Sequence, residues 1–178
     1  MSQTRLSIRP LAPLSLVLLA LAACTEPPPA PSPANEQQET QTASWSVSTT
    51  PERCIARASG GSAASLLVTA LREGGVAFSF SNTLHPMIPR PPGLPVTLRF
   101  TGAAGAWDIP AALEAPRVID TELPLNDVTL EKVQQLLAGG TLGAEGHARG
   151  LPPLTMRPAG ADGEAWLACA RAFAGLRS

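Results

Sequence analysis

The chain has 178 residues, 44% of them hydrophobic and 15% charged, with 13 Lys and Arg against 14 Asp and Glu. That near-neutral balance, with Lys132 the single lysine, excludes a protein built to neutralise many phosphates, because sequence-independent nucleic-acid affinity needs clustered cations. The length suits one domain. With no tyrosine, three Trp and four Phe, there is also little from which to build stacking platforms for bases.

The first ten residues carry Arg5 and Arg9 and no acid, and residues 11–22 form an apolar run that ends in small side chains. This is the order of regions in a secretory signal. The run is short of the roughly 20 residues needed to cross a bilayer as a helix, and Pro13 interrupts it.

Leu21-Ala22-Ala23-Cys24 follows and resembles the lipobox of bacterial lipoproteins. The resemblance implies that the Cys24 thiol carries diacylglycerol, that the chain is cut before Cys24, and that the new amino group is acylated, palmitate being a typical chain. Two or three acyl chains anchor stably where one does not. Thr25 stands where an Asp would retain a lipoprotein at the inner membrane, so the same resemblance implies the outer membrane and a periplasm-facing domain.

Residues 25–44 hold five prolines and almost no large apolar side chain. Such a segment buries too little surface to offset the entropy of ordering, so a disordered tether is expected, reaching at most on the order of 60 Å.

A compact domain is expected over residues 45–178. Short strands are predicted at 45–49 and 53–58. Over 64–73 the apolar spacing fits a helix or a strand; the Gly74-Gly75 turn before the next strand favours a hairpin. Val76, Phe78 and Phe80 alternate with small residues, and Leu94, Val96, Leu98 and Phe100 repeat the pattern, which is the period of a half-buried strand. Pro95 must then stand at a strand start or edge. Further strands are expected at 106–111 and 117–123.

A helix capped by Thr129 is predicted from Leu130, Val133, Leu136 and Leu137, with Val128 and Val133 as a hydrophobic staple and Gly139-Gly140 as its stop. Residues 154–157 suit a short strand. Trp166, Cys169, Ala170 and Phe173 form the stripe of a last helix, with Asp162 and Glu164 early and Arg171 late, as the helix dipole favours. The expected class is α+β: a mainly antiparallel, sandwich-like sheet covered by two helices.

If Cys24 is lipidated, Cys54 and Cys169 remain, and in an oxidising compartment one disulfide between them is the economical reading. No C-x-x-C pair suggests redox catalysis. The pattern of an early Trp45, a Cys54 strand, alternating middle strands, a helix ending in Gly139-Gly140 and the 166–173 helix resembles the invasion-associated locus B family. That resemblance implies an envelope-associated, non-catalytic protein; the lipobox, the tether and the few cysteines depart from it.

Chemistry must pass through two histidines. His85 lies in a Pro-rich connection and His147 in a Gly/Ala-rich one, neither beside a zinc-type ligand set. Residues 59–65 are Gly/Ser-rich but hold no G-x-S-x-G elbow, and Gly60-Gly61-Ser62 has no P-loop lysine. Asp108, Asp120 and Glu122 read as solvated strand residues. No catalytic residue, metal site or cofactor is assigned.

Residues 83–93, with His85, Met87, Ile88 and Arg90, form the candidate binding loop, although a stiff connection is the plainer role for so many prolines. The expected function is a non-enzymatic envelope module with a protein partner and the membrane reached through its lipid. The alternatives are a small hydrolase using His85 with Asp108 or Asp120, and a small-ligand carrier.

Overall fold

The computed structural model describes residues 42–60, 64–83, 91–115, 117–148 and 151–175. Along them run β1 (Thr42–Thr49), β2 (Arg53–Gly60), β3 (Ala64–Leu71), β4 (Gly75–Asn82), β5 (Leu94–Gly102), β6 (Gly105–Ala115) and β7 (Val118–Pro124). The helix α1 (Asp127–Leu137), β8 (Gly140–Gly146), β9 (Leu154–Met156) and α2 (Ala161–Phe173) complete the order.

The alternating patterns fold as strands because one face can be buried completely. Ala58, Leu66, Phe80 and Ile119 are register partners across β2, β3, β4 and β7, and all are fully buried. The 64–73 stretch is a strand, joined to β4 by a turn in which Gly74 adopts φ 109°. β6 continues to Ala115, beyond the expected 111, and its ladder with β7 shifts register between Leu113 and Ala115.

The mainly antiparallel sheet, the two helices and the Cys54–Cys169 disulfide are present, but the open, sandwich-like sheet is not. The strands close into a barrel in the order β1-β2-β3-β4-β7-β6-β5-β8-β9. Closure rests on β9, which pairs antiparallel with β8 and parallel with β1. A pairing between the first and last strands has no local signature, so patterning alone suggests an open sheet.

Other expectations are corrected in detail. β1 starts at Thr42, so residues 42–44 belong to the sheet and not to the Pro-rich stretch before it. The cap of α1 is Asn126, whose Oδ1 accepts from the Thr129 backbone N–H at 2.9 Å. Val128 is 64% exposed, not packed away as the expected staple with buried Val133 requires. Strand β8 lies in a Gly/Ala-rich stretch that gave no strand signal.

Three antiparallel steps separate β7 from β8, so β7 ends and β8 begins at the same end of the barrel, and α1 joins them there. β9 ends at that end too and leads into α2. Gly139 (φ 93°) and Gly140 make this turn: a Cβ on Gly140 would lie 2.6 Å from the Thr101 carbonyl oxygen and 2.7 Å from the Phe100 ring.

The inner side chains of β2 are small, Cys54, Ala56 and Ala58, which makes room for α2. Trp166 of α2 is fully buried, and its Nε1 donates to the Cys54 carbonyl oxygen at 2.9 Å. One turn later Cys169 is bonded to Cys54, with Cα atoms 6.0 Å apart.

Residues 115 apart in sequence are thus joined, which in the loop-entropy account stabilises the fold by about 4 to 5 kcal/mol. Replacing both cysteines by alanine is expected to remove most of that in equilibrium urea unfolding. Trp166→Phe, which keeps an aromatic ring but loses the N–H and part of the indole volume at a fully buried site, is expected to cost at least about 1 to 2 kcal/mol. An unchanged midpoint in the double variant would contradict this account of closure.

Candidate functional site

Outward positions on β5, β6 and β8 carry a charged cluster. Arg99 and Asp108 face each other across the β5–β6 ladder. Arg99 Nε donates to Asp108 Oδ1 at 2.9 Å and Nη2 to Oδ2 at 2.8 Å, a two-pronged pair. The remaining prong, Nη1, donates at 2.6 Å to Glu145 Oε1 on β8. One guanidinium therefore fastens three strands. All three side chains are about half exposed, where isolated ion pairs contribute little; the fork geometry and the third partner distinguish this one.

The hydrogen bond from Arg99 holds the Asp108 carboxyl below its ordinary value. Partial desolvation opposes this, and the charges of Arg99 and Lys132 add to the lowering. Asp108 is thus a fixed anion with both oxygens engaged, unsuited to deliver a proton near neutral pH.

Behind the cluster, on the inner side of the sheet, Trp107 stacks on Phe100 at 5.1 Å and meets Phe78 edge-on at 6.4 Å. Lys132 of α1 holds its Nζ 5.6 Å from the Trp107 ring centre, a cation–π contact. The buried Trp107 Nε1 has no hydrogen-bond partner among the described residues.

Asp120 lies on β7 between Ser79 of β4 and Ala112 of β6, with Oδ1 buried and unpartnered among the described residues. Position 112 is four residues along β6 from Asp108, about 13 Å at strand rise, so the fold does not bring these two acids together. Glu122 lines a shallow groove of about 470 Å³ with Leu71, Glu73, Gly74, Gly75, Leu123 and Pro124. Its lining is mixed polar and apolar and holds two carboxylates, with no nucleophile or imidazole.

His147 is exposed just beyond β8, and no three His, Cys, Asp or Glu side chains group as metal ligands among the described residues. Ser65 is paired with Ser81, Oγ to Oγ at 2.9 Å. Cys54 and Cys169 are joined as expected. Cys24 and the loop residues His85, Met87, Ile88 and Arg90 lie outside the described residues.

The Arg99 cluster was missed in the sequence. Its β5–β6 half was legible: a turn at residues 103–104 sets 99 opposite 108, and both alternate with the apolar face. Glu145 was not, because its strand was unrecognised. No family model, curated protein or solved structure matches this chain.

The lowered carboxyl of Asp108 stabilises the fold above the unfolded-state pKa of about 3.9 and ceases to as pH falls through its lower folded value. The difference in Tm between wild type and Asp108→Asn should therefore be constant from about pH 5 to 8 and close on acidification. A difference that widens in acid would refute the assignment.

Proposed function

We propose that the protein is a bacterial envelope lipoprotein, anchored at the outer membrane through acylated Cys24, whose barrel domain faces the periplasm as a non-enzymatic protein-binding or envelope-assembly module. The observation that supports this reading is how the three cysteines divide. Two form a structural disulfide between β2 and α2, with Cys54 fully buried and Cys169 partly so, a bond that persists in oxidising compartments. The third stands in Leu21-Ala22-Ala23-Cys24, after an apolar run and before a Pro-rich stretch.

Other features agree with it. No helix among the described residues is long and apolar enough to cross a membrane. The carboxylate nearest to being a catalytic candidate, Asp108, is committed to Arg99. A module of this kind works by presenting a rigid surface to a partner, which suits a closed barrel with a disulfide-bound helix.

Cys24→Ala is expected to abolish labelling by radioactive palmitate and move the protein from the membrane to the soluble fraction. Normal processing and membrane association of that variant would overturn the anchor. For the binding role, crosslinking in cells should enrich a partner through residues 45–178, compared with a control carrying only the signal, Cys24 and the tether. Equal recovery from both would overturn it.

A further inference from the structure

Among the described residues the seam is paired along only part of its length, and the part left unpaired is one edge of β1. The Arg157 N–H donates to the Ala43 carbonyl oxygen at 3.1 Å, so Ala43 points its backbone groups toward β9. Thr50 N–H donates to the Arg53 carbonyl oxygen at 2.8 Å, which makes the even-numbered residues of β1 the ones bonded to β2 in the register Ser48↔Ile55, Ser46↔Arg57, Ser44↔Ser59. Trp45, Val47 and Thr49 therefore turn their N–H and C=O groups to the side away from β2.

The ladder to β9 stops before reaching them. β1 and β9 are paired only at Thr42↔Thr155 and Ala43↔Met156. The next acceptor, the Arg157 carbonyl oxygen, is taken by the Trp45 indole Nε1 at 2.9 Å. Pro158 then brings no N–H, and Ala159 N–H turns to the Leu137 carbonyl oxygen at 2.8 Å. No described residue gives the backbone groups of Trp45, Val47 and Thr49 a partner. Helix α2 packs against both β1 and β2, but no described residue of α2 hydrogen-bonds these backbone groups.

Open edges are ordinarily blunted by charge or proline. The part of β8 beyond its ladder with β9 is, at the other end of the seam: it carries Glu145, and Pro153 runs beside Gly143. Between Thr42 and Thr50, β1 has neither. Its outward residues Ser44, Ser46 and Ser48 are exposed and uncharged, and its inward residues Trp45 and Val47 are only half-buried.

We propose that this edge pairs with the same edge of a second copy of the chain, antiparallel about a two-fold axis through Val47. Three outward-bonding residues spaced two apart are self-complementary in this register: Val47 meets Val47 of the second copy, and Trp45 meets Thr49 in both directions. Three such pairs exchange two bonds each, six in all, and satisfy every open group on both edges. The half-buried Trp45 and Val47 gain cross-strand neighbours, and Ser46 meets Ser48 with no charge repelled. The pairing uses none of the lipid-anchor residues, so it stands or falls separately from the proposed function.

The test uses the full chain, in membranes and purified, with single cysteines added. Across a bonded antiparallel pair Cα atoms lie about 5.5 Å apart, within disulfide reach. Val47→Cys should thus crosslink to a dimer on mild oxidation. Thr49→Cys, on the same edge but about 13 Å from its own copy in this register, should give about tenfold less. Wild type reports any background from Cys24.

Val47→Pro removes an N–H that faces the open edge, not one used by β2, and should make the protein monomeric in sedimentation while its circular dichroism is unchanged. Should that variant fail to fold, Ser46→Asp/Ser48→Asp sets acid against acid across the two-fold at exposed positions and should also give a monomer. Equal crosslinking at 47 and 49, a wild type that sediments as a monomer at every concentration, or dimers that survive the Asp variant would overturn the proposal.

Discussion

Everything inside the barrel depends on holding the segment after β9 against the start of β2. β9 is three residues long and meets β1 at two registered positions, too few to repay the loop-closure entropy of joining the two ends of the domain by backbone pairing alone. The Trp166 indole bond to Cys54 and the Cys54–Cys169 disulfide supply the difference. They act on the same residue, so α2 is fixed in orientation as well as position. The small side chains of β2 are the other half of this arrangement, since a larger residue at Ala56 or Ala58 would contest the space that the helix and the large rings of β4 fill together.

That dependence explains what was legible in the sequence. Strand alternation in residues 76–80 and 94–100 read correctly because burial on one face imposes period two whatever the sheet does elsewhere. The disulfide was legible because only two cysteines remain once Cys24 is set aside. Closure was not, because it is decided by a parallel contact between residues 43 and 156 that leaves no local pattern. β8 was hidden for a different reason: Gly140, Gly143 and Gly146 carry little strand propensity, and the strand forms because β5 and β9 offer it partners on both sides. The cap of α1 was misplaced by three residues since Thr129 and Asn126 both suit an N-terminus, and only the burial of Leu130 and exposure of Val128 decide between them.

The outer surface divides by strand. On β5, β6 and β8 the outward positions hold Arg99, Asp108 and Glu145, knitted by charge-assisted hydrogen bonds. On β1, β3 and β4 they are mostly serine and other small residues, with Ser65 and Ser81 bonded to each other, while β2 presents Arg53 and Arg57. The charged half fastens the strands next to the seam, where β8 has only three registered pairs with β9. The serine-rich half holds the other seam strand, β1, which has six registered pairs with β2 but only two with β9 and, among the described residues, no charged fastening across the seam.

The two sides of the seam are therefore finished differently, and Trp45 is the residue that makes the difference. Its indole takes the Arg157 carbonyl that a longer β1–β9 ladder would have used, so the same side chain that secures the crossing chain also ends the ladder. The chain is then free to turn inward through Pro158 and Ala159 toward α1, which it must do for α2 to reach Cys54. An edge of β1 left unpaired by the described residues is thus the geometric consequence of ending the seam with a short strand and a helix instead of a full-length strand: the residues that would complete the seam are those needed to plug the end.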